Sequence, residues 1–171
     1  MCIIIAKPQG VELPPANIIA NCAMRNPDGF GFATVDGVYK TMDFRAFYKR
    51  LQETASPDIA MILHFRIATH GSCKRANCHP FRDDETGVSF AHNGMLDIMP
   101  YKDMTDSETA FRGLYVPKIK EYGLDSDELR YEVFGTIGFS RFAFLGPDSQ
   151  IRLFGHFYKW RGCSFSNQHF I

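Results

Sequence analysis

The apolar residues of this chain come in short runs, and the length of those runs decides what they can form. IIIA near the N-terminus, GFGFATV, IAMILHF, VSFAH, RFAFLG, IRLFG and CSFS are too short for ordinary helices and rich in the β-branched and aromatic residues that suit buried strands. Between them lie stretches with helical spacing. From Pro14 to Met24 the positions Ile18, Ile19, Cys22 and Ala23 share one face, with prolines suited to a helix start before them. Asp43 caps a helix whose Phe44, Phe47, Tyr48 and Leu51 line up. Thr105 and Glu108 form a capping-box pair opening a helix to about Tyr122, with Ala110, Phe111, Leu114 and Ile119 inside, and a further helix covers Asp127 to Phe134. Asp36-Gly37 is a hairpin turn between GFGFATV and VYKTM, and a long polar loop runs from Ile67 to Asp84. RFAFLG, a PDS turn, QIRLFG and CSFS give an antiparallel run to the C-terminus, and strands at both ends with paired helices between them predict an α+β sandwich.

Nothing divides the chain. The 171 residues carry no repeat, low-complexity tract or linker, so one domain, 1–171, is expected. The 16 Phe and 7 Tyr can fill a core between stacked layers. With 19 basic and 19 acidic residues, no field steers the protein toward nucleic acid or an anionic membrane, and a small ligand fits better. No apolar stretch approaches the ~20 residues that span a bilayer, and the N-terminus lacks the pattern of a signal peptide. A cytoplasmic protein with free thiols is therefore expected, its five cysteines being an odd number.

Four polar clusters carry possible chemistry. Cys2 follows the initiator methionine. Removing Met1 would leave an α-amine of pKa about 7.7 to 8.0 on the same residue as a thiol of pKa about 8.5, so that base and nucleophile share one residue. By itself a cysteine at the start of an apolar strand is usually a small buried hydrophobe. HFRIATHGSCKRANCHPF, His64 to Phe81, offers Arg66 as a bidentate carboxylate clamp, with Thr69 and His70 in reach of the same anion. The alternatives there are an ordinary ion pair and a metal site of His70, Cys73, Cys78 and His79, whose spacing lacks the second pair of a common zinc site. In FAHNGML, Asn93-Gly94 is either a tight turn or an oxyanion hole made of the Asn93 amide and the Gly94 N–H. In MTDSETAF, Asp106 either favours the positive end of its helix or holds an ammonium group.

Taken together and in this order, Cys2 after Met1, NPDGFGF at Asn26 to Phe32, HFRIATHG with N-x-HPF at Asn77 to Phe81, FAHNG, and TDSE resemble the class II glutamine amidotransferases. The closing strand with CSFSN is similar more loosely. The resemblance implies an N-terminal nucleophile (Ntn) hydrolase fold, a four-layer αββα sandwich of two antiparallel sheets. It implies Cys2 as the nucleophile, Asn93 and Gly94 as the oxyanion hole, Arg66 with Thr69 and His70 at the glutamine carboxylate, and Asp106 at its α-amine. Glutamine is then the substrate, with no metal or organic cofactor. Family members that make amino sugars or nucleotides carry a second catalytic domain, so a stand-alone glutaminase domain with a separate synthase or transferase partner is expected. Two other readings remain: an Ntn amidohydrolase acting on a different amide, and a non-catalytic glutamine-binding regulatory subunit.

Overall fold

The computed structural model describes residues 1–68 and 73–171, and Thr69 and His70 lie outside them. Two antiparallel sheets form its middle. In chain order the elements are β1 (Ile3–Lys7), α1 (Ala16–Arg25), β2 (Phe30–Thr34), β3 (Gly37–Thr41), α2 (Phe44–Thr54), β4 (Met61–Phe65), β5 (Phe81–Asp83) and β6 (Val88–Asn93). There follow α3 (Asp106–Ala110), α4 (Val116–Tyr122), α5 (Asp127–Thr136), β7 (Arg141–Leu145), β8 (Ile151–Phe154), β9 (Tyr158–Trp160) and β10 (Cys163–Phe165). The larger sheet runs β3-β2-β4-β1-β10-β9 and the smaller β5-β6-β7-β8.

The isoleucine run of β1 explains the layering. Ile3 and Ile5 face a core built with Ile19, Cys22, Phe47 and Leu51 of α1 and α2. Ile4 points the other way, into a seam between the sheets made of Ala33, Ala60, Ile62, Ala91, Ala143 and Leu145. Successive strand residues point to opposite faces, so a strand covered on both sides must be apolar throughout, and all three isoleucines are fully buried. The alanines let the sheets approach closely. On the far side Phe90, Phe142 and Phe144 pack against Phe111, Tyr115, Leu129 and Val133 of the second helical layer. The αββα sandwich expected from the sequence is the fold observed.

Asp43 caps α2 as its type predicts, its carboxylate accepting from the Arg45 N–H at 2.8 Å. Asp43→Ala should cost about 1 kcal/mol, read as a lower urea midpoint at unchanged slope. A wild-type midpoint would show that packing of Phe47 and Leu51 fixes the helix without its cap.

Four local expectations need correction. The hairpin turn is Val35-Asp36, because Thr34 already pairs with Gly37, and the Asp36 N–H donates to Thr34 Oγ1. The polar loop after β4 is not continuous: residues Arg75–Asn77 form a 3₁₀ turn, and β5 pairs with β6 through Phe81↔Phe90. Three residues, two of them charged, leave too short a pattern to read as a strand. The helix from Thr105 to Tyr122 contains a π-helical turn at Phe111–Tyr115, which brings Tyr115 rather than Leu114 fully inside. Lastly, the C-terminal strands do not form one run: β7 and β8 join the smaller sheet, whereas β9 and β10 return to the larger one.

Among the described residues no helix is long and apolar enough to cross a membrane.

Candidate active site

Sheet order brings distant residues to one end of the sandwich. β1 lies between β4 and β10 and is antiparallel to both, so its start is beside their ends: Ile3 pairs with Phe65, and Ile5 with Phe165. Cys2 therefore sits beside Arg66 on one flank and Ser166-Asn167 on the other. β6 of the second sheet ends nearby with His92, Asn93 and then Gly94. These ends border a cavity of about 510 Å³ whose lining includes Cys2, Arg66, His79, Gly94, Leu96 and Asp106. That volume falls in the range of small-molecule sites.

The Cys2 thiol is held by the backbone of one residue, Ile67. Its Sγ donates to the Ile67 carbonyl at 3.6 Å and accepts from the Ile67 N–H at 3.5 Å. Burial pushes its pKa up, opposed by the Ile67 N–H, the N-terminal ammonium of Met1 and the Arg66 guanidinium. The resting group is thus a thiol, and attack needs a base.

The strand end carrying Arg66 is laced to the NPDG loop. The Arg66 N–H donates to the Gly29 carbonyl at 2.8 Å, the Arg66 carbonyl accepts from the Asp28 N–H at 3.0 Å, and Asp28 Oδ2 accepts from the Ala68 N–H at 2.8 Å. Gly31 on β2 is needed for a different reason: a Cβ there would drive into the His79 carbonyl. NPDGFGF therefore supports the site without lining it.

Asp106 opens α3 after its cap Thr105, whose hydroxyl accepts from the Glu108 N–H. The reciprocal half of the capping box is not made, since Glu108 pairs with Arg112 instead. Asp106 Oδ2 accepts from the Leu96 N–H at 3.0 Å, and Oδ1 accepts from the N–H and hydroxyl of Ser107 at 2.7 and 3.1 Å. The carboxylate is fixed at the cavity wall. Gly94 lies at φ 142°, and a Cβ there would collide with Ser140 Oγ. Asn93 lies one residue behind, completely buried, its Nδ2 donating to Ser166 Oγ at 2.9 Å.

The four corners are thus a thiol, a cation, a carboxylate and a glycine N–H around one cavity. A model of the class II glutamine amidotransferases matches residues 46–130, from within α2 to within α5. Over that segment the chain is similar to this family. The matched segment holds Arg66, Asn93, Gly94 and Asp106, while Cys2 and the NPDG loop precede it. No curated protein matches the chain.

Of the alternative metal set, His70 lies outside the described residues. Cys73 is exposed, Cys78 is buried with its Sγ on Met42 Sδ and the Lys74 carbonyl, and His79 packs on the His64 ring at 4.4 Å. Among the described residues no three potential ligands converge.

His92, which the sequence left without a role, lines the cavity beside Asp106. His92 Nδ1 meets Ser107 Oγ at 2.7 Å and Nε2 meets Ser140 Oγ at 3.0 Å, while Ser140 Oγ also reaches the Met95 carbonyl at 3.1 Å. Burial lowers the His92 pKa to about 4, so one ring nitrogen donates and the other accepts. Because Ser107 spends its hydrogen on Asp106, Nδ1–H donates to Ser107 Oγ. Nε2 then shares the Ser140 hydrogen with the Met95 carbonyl. His92 thereby connects the carboxylate at Asp106 to the Gly94-Met95 turn. Its only sequence signal was its place in AHNG.

Proposed function

We infer that this class II glutamine amidotransferase hydrolyses glutamine through Cys2. The observation that carries the reading is the placement of Cys2, Arg66, Gly94 and Asp106 around one cavity. Glutamine needs a cation for its carboxylate, an anion for its ammonium, and a nucleophile with oxyanion donors at its amide. Arg66, with Thr69 and His70, takes the carboxylate, and Asp106 takes the ammonium. The side-chain carbonyl then lies toward Cys2.

Loss of Met1 gives Cys2 a free α-amine, which removes the thiol proton directly or through water. Thiolate attack forms the S–C bond, and the Gly94 N–H and Asn93 amide stabilise the resulting oxyanion. As the C–N bond breaks, the ammonium of Cys2 protonates the departing nitrogen to give ammonia, and water hydrolyses the γ-glutamyl thioester to glutamate. The ammonia passes to an acceptor on a synthase or transferase partner.

The test combines intact mass with product analysis: protein lacking Met1 should release glutamate and ammonia in equal amounts from glutamine. A panel including asparagine and γ-glutamyl peptides distinguishes another amidohydrolase, and glutamine binding without turnover would favour a regulatory subunit. Asp106→Asn should raise KM for glutamine about tenfold to a hundredfold, the cost of an unpaired charge-assisted hydrogen bond. An unchanged KM would remove Asp106 from the ammonium site.

A further inference from the structure

The two residues that follow β10 contact both halves of the catalytic apparatus, although neither belongs to the cavity wall. Ser166 binds both backbone groups of Ile4: its N–H donates to the Ile4 carbonyl at 3.0 Å, and its Oγ accepts from the Ile4 N–H at 2.8 Å. The same Oγ meets the Asn93 amide. Asn167 Nδ2 donates to the Cys2 carbonyl at 2.7 Å. Its orientation is set from the other end, where Asn167 Oδ1 accepts from the His169 N–H at 2.9 Å. Ser166 is fully buried and Asn167 nearly so. The chain terminus thus touches residues 2, 4 and 93 together.

Hydrogen counting at Ser166 adds a second observation. Its Oγ accepts from Ile4 and from Asn93, which leaves its own hydrogen unplaced. Asn93 Oδ1 is buried with no partner among the described residues. A half-turn of the Asn93 amide resolves both: the Ser166 hydroxyl donates to Oδ1, and the NH₂ group moves to the opposite end with both hydrogens available. Without a buried partner for Oδ1, that turn would leave a carbonyl oxygen unsatisfied at a cost of about 1–3 kcal/mol.

We propose that Ser166 and Asn167 are positioning residues: Ser166 holds the Asn93 amide with its NH₂ toward the oxyanion, and Asn167 fixes the backbone of the Cys2 nucleophile. The proposal rests on the glutaminase reading for its kinetic arm only. In the full chain, Ser166→Ala should lower kcat for glutamine tenfold to a hundredfold, with KM and the rate of Cys2 alkylation by iodoacetamide both within twofold of wild type. Alkylation forms no oxyanion, so a purely structural role would not separate the two. Asn167→Asp keeps the His169 bond but sets a carboxylate against the Cys2 carbonyl, and should slow both kcat and Cys2 alkylation at least fivefold. Peptide mapping distinguishes Cys2 from exposed Cys73.

Should Ser166→Ala fold poorly, the Cys2→Ala protein with glutamine bound gives the same information by NMR. The Asn93 side-chain amide hydrogens should lose their NOE to the Ser166 β-hydrogens. Wild-type kcat in Ser166→Ala, unchanged alkylation in Asn167→Asp, or a persistent NOE would each overturn the corresponding assignment. If wild-type protein releases no glutamate, the functional reading fails, while the Asn167 alkylation arm still reports on the positioning of Cys2.

Discussion

Cys2→Ala should bring glutamine hydrolysis down by three or more orders of magnitude while leaving the fold intact. The size follows from the covalent route: without a nucleophile the remaining binding groups and oxyanion donors supply only residual catalysis. Stability should change little, because among the described residues the thiol makes two long contacts, both to Ile67, and belongs to no buried hydrophobic cluster. The paired experiment retains Met1, by expression in cells depleted of methionine aminopeptidase. That protein keeps the thiol but lacks an amine on Cys2, and its buried thiol has a raised pKa, so it too should be inactive at pH 7. Intact mass reports the N-terminus of each sample, and coupled glutamate dehydrogenase reports turnover. Wild-type rates in Cys2→Ala would sink the mechanism, and full activity with Met1 present would move the base elsewhere.

Acidification should unfold the protein at a higher pH than carboxylate protonation alone would. His64, His79 and His92 are buried together, with desolvation lowering the pKa of His64 to about 3, that of His92 to about 4, and that of His79 well below the ordinary value. A histidine whose native pKa lies below its unfolded value of about 6.5 gives the unfolded chain more protons as pH falls. Stability is therefore intact above about pH 6.5 and declines toward the native values near 4 and 3. Each group contributes up to about 1.4 kcal/mol per pH unit, so three acting together approach about 4 kcal/mol per unit. For a domain stable by about 5–10 kcal/mol, this places acid unfolding between about pH 4 and 5. The Asp148 carboxylate, held down to about 2 by Arg152 at the surface, acts only below that window.

Urea midpoints at pH 7 and pH 5 measure the effect. Unchanged midpoints would refute it. His79→Phe provides the control: neither His79 ring nitrogen has a partner among the described residues, and the ring packs between His64 and Phe81. A phenyl ring should fit there and remove about a third of the pH slope.

How much of this was legible depends on the kind of residue. Cys2, Arg66, Gly94 and Asp106, which line one cavity, stood out as candidates because each offers one distinct chemistry. Ser107, Ser140, Ser166 and Asn167 were not, since short polar residues at strand and helix ends usually only complete turns. The histidines were visible as letters but not as a cluster: His64, His79 and His92 stand on three separate segments, two of them strands. The π-helical turn was hidden for a related reason, because Phe111, Leu114 and Tyr115 satisfy helical spacing with or without it.

The sequence by itself determined the alternation of buried faces and the candidates for the site. Alternation on each strand says which faces are buried, and unbroken apolar runs such as IIIA require cover on both sides; an α+β sandwich follows from that pattern, while the αββα order of layers came from the family resemblance. Tertiary structure decided who meets whom. Placing β1 between β4 and β10, antiparallel to both, sets Cys2 beside Arg66 and Asn167, and packing of the second sheet brings Asn93 to Ser166. Those contacts join residues more than sixty positions apart, and no local periodicity can encode them, because strand order is fixed by the packing of all the faces at once.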